Sequence, residues 1–335
     1  MNADSRNGSS AKQLTLLTTS FGAAQYLDAY CAGVAALVNL DEIEVRLVMN
    51  DPDEAERRIV ADYCLSYPGV FCVKEVPRES IGASINRGLL EARTPYVAFL
   101  DVDDVRVPDS LARQMAVLDS SPEVDYTYGD VMVVPAQGIT EGRRVVAPEF
   151  DRYEFTRSCV TSPSQLFRRS LLNRVGGFDE QLRSGGDFDF QIRAALSSRF
   201  VRTPGVMVYY TKYPESESAS SSHLQPLERT MIELRYGLYD KTVSLHGFPF
   251  IEEARSSYRL KEILLGGEWR SIEEFVVGYE ALLASRAGGL RRLEQRHAQW
   301  RRRHALGNWL RPVVPARLRR YGRSAIRRIR QIETQ

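Results

Sequence analysis

Tyr96-Val-Ala-Phe-Leu-Asp101-Val-Asp-Asp104 is an apolar run that ends abruptly in three carboxylates. The run predicts a buried strand of a parallel sheet, because a helix would need about ten or more residues. On a continuing strand, Asp101 and Asp103 would point to the same side. Two such oxygen ligands suit Mg²⁺ or Mn²⁺ that also binds substrate phosphates. Alternatively, Asp103 and Asp104 cap the helix that Pro108 opens, and the triplet alone leaves both interpretations open.

The chain around this stretch alternates between predicted strands and helices. Strands are predicted at 14–19, 45–49, 70–73, 124–134 and 206–210, and helices at 26–37, 54–65, 82–93 and 108–118. This alternation predicts a parallel sheet with right-handed crossovers, in which ligands bind beyond the carboxyl ends of the strands. Thr18, Thr19, Asp51 and Asp101 lie at those ends, and we expect them to converge on one crevice.

A second polar motif, Ser184-Gly-Gly-Asp187-Phe-Asp189, stands at the start of another predicted helix. Its two glycines would let the main chain approach a ligand closely. The alternative is structural: Asp187 caps the helix and Asp189 complements its dipole. For an isolated motif of this kind, the structural interpretation is favoured.

Charge is distributed unevenly along the chain. Residues 286–335 hold 15 of the 45 basic residues and 2 of the 43 acidic ones, so this segment carries +13 and the rest −11. Within it, residues 315–332 predict a basic amphipathic helix, which favours an anionic membrane surface at roughly 1 kcal/mol per Arg. Docking of that helix on the acidic body is the alternative. Nucleic acid is not expected, because no aromatic stacking platform accompanies the arginines.

Composition limits the other possibilities. The four cysteines lack metal-site spacing and are expected to be reduced, mostly buried thiols of a cytosolic protein. No signal core and no run of ~18 apolar residues is present, so neither secretion nor a membrane span is expected. All four histidines fall in the last third of the chain. Catalysis centred on histidine is therefore not favoured.

We predict four segments. These are a disordered N-terminus at 1–12, an α/β domain at 13–225, a helical appendage at 226–287 and a basic amphipathic tail at 288–335. Within the α/β domain, the serine-rich stretch 214–222 is too polar to pack and is expected to be a mobile loop or lid. No chemistry is apparent in the appendage, whose apolar periodicity is typical of packing helices.

In their order along the chain, five parts resemble the family-2 glycosyltransferases of the GT-A fold. They are the strand end at Thr18-Thr19, the strand ending at Asp51, Asn86-Arg-Gly, Phe99-Leu-Asp-Val-Asp-Asp104, and Phe167-Arg-Arg-Ser-Leu-Leu followed by Gly176-Gly-Phe-Asp179 and Gly185-Gly-Asp187. The resemblance covers roughly residues 14–222. It implies an α/β, Rossmann-like GT-A fold with a mostly parallel sheet flanked by helices, to which the helical appendage is added.

The resemblance also implies roles for individual residues. Thr18, Thr19, Asp51 and Asn86 would contact the sugar nucleotide. Asp101 and Asp103 would form the DxD motif that binds the diphosphate with Mn²⁺ or Mg²⁺, with Asp103 the metal ligand and Asp101 serving the nucleotide or the metal. Asp187 would be the catalytic base of an inverting reaction, and Asp189 is the fallback base.

The resemblance implies that the protein is a metal-dependent inverting glycosyltransferase. It would move a sugar from a nucleoside-diphosphate sugar to a glycan or lipid-linked acceptor, in surface polysaccharide biosynthesis at the inner face of a membrane. Gly186 stands where a Glu is frequent, and Tyr213 stands where a metal-binding His is frequent; His223 could replace that ligand if the serine-rich loop folds back. These departures motivate an alternative, a catalytically impaired homologue that still binds sugar nucleotides.

Overall fold

The computed structural model describes residues 11–213, 223–236, 238, 250–258, 263–265 and 268–270, together with the single positions 295, 298, 299 and 302. Most of the predicted disordered N-terminus, the whole serine-rich stretch 214–222 and nearly all of the basic tail lie outside the described residues. None of the described helices is both long enough and apolar enough to cross a membrane.

Nine of the described strands form one mixed sheet, in which the order is β3-β2-β1-β4-β8-β6-β9-β5 and β7 pairs with β6. The strands are β1 (Leu14–Ser20), β2 (Ile43–Asn50), β3 (Phe71–Val76), β4 (Tyr96–Phe99), β5 (Val105–Arg106), β6 (Tyr126–Val134), β7 (Arg143–Val145), β8 (Leu166–Arg168) and β9 (Phe200–Thr211). Strands β10 (Ile263–Leu265) and β11 (Glu268–Arg270) form a separate pair. Six strands of the large sheet run parallel, and β5, β7 and β8 run against them. The carboxyl ends of the parallel strands therefore share one edge.

Helices cover both faces of this sheet. They are α1 (Ala24–Ala35), α2 (Glu54–Ser66), α3 (Ile81–Glu91), α4 (Ser110–Asp119), α5 (Arg152–Phe155), α6 (Leu172–Val175), α7 (Gly186–Ser197), α8 (Leu224–Arg235) and α9 (Ile251–Ser257). Buried side chains of α1, α2 and α4 belong to one hydrophobic cluster, and those of α3, α7, α8 and α9 belong to another. The predicted α/β fold, with a mostly parallel sheet flanked by helices, is confirmed.

Strand β4 is central because both of its faces are buried. Val97 and Phe99 pack into one hydrophobic cluster, whereas Tyr96 and Ala98 pack into the other. This alternation follows from the two-residue period of a strand. It explains why the run is apolar throughout rather than alternating with polar residues.

Several element predictions need correction. The last strand was expected at 206–210 only, but β9 begins at Phe200 and continues through Pro204-Gly205. The pairing of β6 with β9 passes from Gly129–Thr203 to Asp130–Val206, so Pro204 and Gly205 form a bulge in β9. Gly205 has a positive φ of 94° there. The antiparallel strand β8 was not predicted.

The first helix of the predicted appendage belongs to the core of the α/β fold. Leu227, Met231 and Ile232 of α8 are buried in the same cluster as Phe99. The predicted boundary at 225/226 therefore does not separate two hydrophobic cores, because α8 packs in the same core as the preceding residues. This places α8 close enough to the α7 region to influence it.

Candidate active site

The acid-rich segment forms a turn. Strand β4 ends at Phe99, and the main-chain N–H of Asp104 donates to the carbonyl oxygen of Asp101 at 3.1 Å. The prediction that the strand continues through Asp101 and Asp103 is therefore wrong, although the charge of Asp103 still acts on Asp101. The helix-cap interpretation is also wrong, because α4 begins only at Ser110 and Asp104 instead accepts the N–H of Thr211 at 2.8 Å.

The pKa values of the carboxylates in this turn are raised, chiefly by burial and, for Asp101 and Asp104, also by neighbouring negative charges. Asp101 keeps contact with solvent, although protein atoms surround its carboxyl group. Burial of that group, together with the charges of Asp103 and Asp187, raises the pKa of Asp101 to about 7. Burial also raises the pKa of Asp103 and, well above its usual range, that of Asp104. A cation at this turn would relieve the repulsion and displace protons from it.

A buried guanidinium supports the turn from inside the fold. Arg106 is 2% exposed and donates to the carbonyl oxygens of Phe99 at 2.9 Å and Gln165 at 3.1 Å. Burial lowers the pKa of Arg106 to about 9, against the opposing charges of Asp104 and Asp101. The side chain thus fixes the end of β4 and places a positive charge behind the carboxylates.

An aromatic cluster relates this turn to the start of α7. The ring of Phe99 lies 5.4 Å from that of Phe178 and 6.3 Å from that of Phe190, measured between centroids. Phe178 and Phe190 stack at 5.0 Å. Because Phe99 immediately precedes the acidic segment and Phe190 lies in the first turns of α7, their packing fixes the position of Asp187 relative to Asp101.

Asp187 is half-buried and does not cap its helix. The N-cap position of α7 is occupied by Gly185, which has no side chain to cap the helix. The Asp187 carboxylate accepts the N–H of Phe188 on Oδ1 at 2.7 Å, and Oδ2 accepts the thiol of Cys159 at 3.4 Å. The negative charge of Asp187 contributes to the raised pKa of Asp101, so the structure brings the two predicted acidic motifs close together.

Asp189, the fallback base, has a structural role. It is fully buried, and its Oδ1 accepts Arg235 Nη1 at 2.9 Å and the Tyr236 hydroxyl at 2.7 Å. Its Oδ2 accepts Arg193 Nη2 at 2.8 Å. A carboxylate held by three side chains and closed to solvent has no access to an acceptor hydroxyl.

The two glycines before Asp187 pack against protein. A Cβ on Gly185 would lie 2.7 Å from Cδ1 of Ile232 in α8, and a Cβ on Gly186 would lie 3.2 Å from the ring of Phe178. The expectation that they admit a ligand to the main chain is therefore replaced by a packing explanation.

Tyr213, which follows β9, lies beside Asp103. Its hydroxyl donates to Asp103 Oδ2 at 3.2 Å, and its ring stacks on Tyr26 at 5.9 Å. Burial raises the pKa of Tyr213, so the phenol remains a neutral donor. His223 lies elsewhere: its Nε2 is 3.4 Å from Glu253 Oε1. The suggested replacement of a metal ligand by His223 is therefore not seen in this structure.

The predicted nucleotide contacts have different surroundings. Asp51 is exposed at the carboxyl end of β2, in a left-handed conformation with φ of 53°. Thr19 is half-buried, whereas Thr18 is buried and donates to the carbonyl oxygen of Leu100 at 2.7 Å. Asn86 accepts the N–H of Phe178 at 2.7 Å and donates to its carbonyl oxygen at 2.9 Å. The geometry thus gives Thr18 and Asn86 structural contacts, and Asp51 and Thr19 remain predictions as donor-binding residues.

The metal prediction is tested by the donor set. Across the described ranges, no group of three or more His, Cys, Asp or Glu side chains could hold a metal ion. Asp101 and Asp103 provide carboxylate oxygens of the kind that Mg²⁺ and Mn²⁺ prefer. They fit a hard cation that takes its other ligands from phosphate and water, as Mg²⁺ commonly does, and they do not form a complete protein cage.

Comparison with known families indicates which class of α/β protein the chain resembles. Residues 15–176 match the family described as glycosyl transferase family 2. Over those residues, just under half of its length, the chain is similar to this family. The matched segment includes Asp51, Asp101 and Asp103 but ends before Asp187 and before α8.

Individual relatives of the matched segment are distant. An uncharacterized glycosyltransferase of Methanocaldococcus jannaschii is 24% identical over 152 residues, 44% of this chain and 52% of the relative. A PGL/p-HBAD biosynthesis glycosyltransferase of Mycobacterium bovis is 27% identical over 154 residues, 46% of this chain and 55% of the relative. The chain spans about half the length of these curated relatives.

Two solved structures share the fold. S. aureus TarS 1–349 in complex with UDP-GlcNAc has a TM-score of 0.55 at 20% identity, covering 72% of this chain and 71% of that one. The mannosyltransferase PcManGT from Pyrobaculum calidifontis, in complex with GDP-Man and Mn²⁺, has a TM-score of 0.50 at 18% identity, covering 86% and 80%. At these identities the likeness concerns the fold alone.

Three neighbours of the acidic residues were not found by sequence reasoning. They are Arg106, Cys159 and Glu228. Arg106 carries a local signal, since a charged residue between valines just after an acidic motif is unusual in a buried strand. Cys159 and Glu228 carry none, because their partners lie 28 and 43–45 residues away in sequence.

Proposed function

We propose that this protein is an inverting glycosyltransferase that moves a sugar from a nucleoside-diphosphate sugar to a hydroxyl group of a glycan or lipid-linked acceptor. The observation that carries the proposal is the convergence of Asp101, Asp103 and Asp187 at the carboxyl edge of a family-2 domain. Two carboxylates on the turn after β4 and one on α7 supply a donor side and an acceptor side.

On the donor side, Asp103 and Asp101 would hold a Mn²⁺ or Mg²⁺ ion together with the diphosphate. When bound, such a cation supplies positive charge for the departing nucleoside diphosphate. Arg106 holds the turn in place from beneath through the carbonyl of Phe99. Tyr213 orients the Asp103 carboxylate by donating to its Oδ2.

On the acceptor side, Asp187 takes the proton of the attacking hydroxyl. Its Oδ1 is engaged by a main-chain N–H, whereas the donor to Oδ2 among the described residues is the weak thiol of Cys159. Oδ2 is therefore the oxygen that is free to receive the proton. One direct attack on the anomeric carbon, opposite the leaving diphosphate, inverts its configuration.

Calorimetry tests the donor side. We expect UDP, GDP or TDP to bind in the presence of Mn²⁺, and binding to weaken at least tenfold, or about 1.4 kcal/mol, in EDTA or in Asp103→Asn. The physical reason is that the substitution removes the negative charge that holds the cation. Asp109→Asn is the matched control, because Asp109 is exposed, pairs only with Arg113 in an i,i+4 contact and should leave binding unchanged. Equal affinities for wild type and Asp103→Asn would remove the metal-binding assignment.

A catalytically impaired homologue that binds sugar nucleotides is the second candidate. Two observations favour it: Gly186 leaves no carboxylate immediately before Asp187, and the Asp103 carboxylate is already hydrogen-bonded to Tyr213. Hydrolysis of UDP-, GDP- and TDP-linked hexoses separates the two candidates. Binding without any turnover supports the homologue, whereas release of sugar from one donor supports the enzyme.

We also propose that the protein acts in surface polysaccharide biosynthesis at the inner face of a membrane, to which the basic tail binds. Support comes from the seven arginines of the predicted helix 315–332. Deleting 312–335 should release the protein from vesicles containing phosphatidylserine at physiological salt, because roughly 1 kcal/mol per Arg is lost. Vesicles of phosphatidylcholine alone are the control. If the shortened protein sediments with anionic vesicles as the full chain does, the tail is not the membrane anchor.

A further inference from the structure

A buried carboxylate of α8 closes the loop that precedes the proposed base. Glu228 is fully buried, and both of its oxygens accept main-chain N–H groups of three successive residues. Oε1 accepts Arg183 N at 2.8 Å, and Oε2 accepts Ser184 N at 2.8 Å and Gly185 N at 2.9 Å. The hydroxyl of Tyr258 donates to Oε1 at 3.0 Å. One side chain therefore satisfies three main-chain donors that have no helical partner.

The position of these donors gives the contact its importance. Gly185 directly precedes α7, and Asp187 lies in the first turn of that helix. N–H groups at a helix start lack intrahelical acceptors and need partners from elsewhere when they are buried. A charged acceptor makes such bonds strong. Glu228 thus fixes the helix start from which Asp187 projects.

A second contact of α8 acts on the same region. Arg229 donates through Nη2 to the carbonyl oxygen of Arg157 at 3.0 Å, and its guanidinium lies 4.9 Å from the ring centroid of Phe188. Arg157 lies two residues before Cys159, whose thiol contacts Asp187, and Phe188 follows Asp187 directly. Helix α8 therefore touches the chain on both sides of the proposed base.

We infer that Glu228 is a positioning residue for catalysis, through which α8 holds Asp187 in its reactive orientation. The inference rests on the proposed function, and it extends the active site beyond the matched residues 15–176. A shift of about 1 Å in a catalytic group can cost about a hundredfold in rate. The donor side lies on the turn after β4, so loss of the Glu228 contacts should affect turnover rather than donor binding.

Glu228→Gln tests this inference with little change in shape. In either amide orientation the NH₂ group faces at least one main-chain N–H, so a bond is replaced by a donor–donor contact. We expect kcat for hydrolysis of the most rapidly cleaved UDP-, GDP- or TDP-linked hexose to fall at least tenfold, with the donor KM within about twofold of wild type. Amide hydrogen exchange of 183–187 should accelerate.

Tyr258→Phe is the matched control, because it removes the hydroxyl donor and leaves all three main-chain bonds to Glu228 intact. Its kcat and its exchange at 183–187 should match wild type. If Glu228→Gln does not fold, Glu228→Asp serves instead, since it keeps the charge but withdraws the carboxylate by one methylene. It should lower kcat at constant KM.

The outcomes separate this inference from the proposed function. Unchanged kcat, or unchanged exchange at 183–187, in folded Glu228→Gln overturns the positioning role. If Asp187→Asn is inactive while Glu228→Gln turns over like wild type, only the positioning role fails. If Asp187→Asn is fully active, the base assignment itself fails, whatever the behaviour of Glu228→Gln.

Discussion

Asp187→Asn is expected to lower the turnover of sugar transfer by about 10²–10⁴-fold, because general-base catalysis contributes an acceleration of that size. The amide keeps the volume of the carboxylate but cannot accept a proton near neutral pH. Binding of UDP, GDP or TDP should stay within about twofold of wild type, since Asp101 and Asp103 remain. Steady-state transfer rates and calorimetry on the same preparation would measure both quantities.

The control for this substitution is Asp151→Asn. Asp151 caps the short helix α5 by accepting the N–H of Glu154 at 2.9 Å, and it is exposed. Because Asn and Asp cap helices about equally well, the same loss of charge should leave stability and turnover unchanged there. Turnover near the wild-type level in Asp187→Asn would mean that the base lies elsewhere. Asp189 could not replace it, given its closed environment.

The fold could be predicted where local pattern and tertiary structure agree. Strand β4 is the clearest case, because a short apolar run buried on both faces is unambiguous once a turn follows it. Strand β9 was truncated in the prediction because Pro204-Gly205 is typical of a strand end. Here the bulge opposite Gly129 accommodates both residues, which depends on a partner strand about 75 residues away. Local sequence carries no sign of that partner.

The candidate site divides in the same way. Asp101, Asp103 and Asp187 were predictable because each follows or begins an element whose end is visible in the sequence. Their surroundings were predicted only in part. The family resemblance pointed to Tyr213, which reaches Asp103 across 110 positions, whereas nothing in the sequence pointed to Glu228, which reaches the loop before Asp187 across 43–45. The glycines of that loop show the same limit, because the side chain that requires Gly185 to be small belongs to Ile232.

Asp189→Ala is expected to destabilise the protein by about 3–5 kcal/mol, because it leaves buried guanidinium groups without their shared carboxylate. Arg193 and Asp189 are both fully buried, and Arg235 is 1% exposed. Asp179 is a second carboxylate bound to Arg235, at 2.7 Å. The free energy of unfolding of a typical domain is only about 5–15 kcal/mol. The variant should therefore unfold at a much lower urea concentration than wild type, as measured by circular dichroism.

Glu253→Ala is the surface counterpart of Asp189→Ala. Its carboxylate is 46% exposed and lies 3.4 Å from an exposed His223, so removal should change stability by less than about 1 kcal/mol. Comparing the two separates the loss of a buried charge partner from the loss of an ion pair in general. A loss below about 1 kcal/mol in Asp189→Ala would show that water or a neighbouring carboxylate satisfies the arginines. Asp189 would then again be available as a base, and its separation in role from Asp187, two positions earlier on the same helix, would no longer hold.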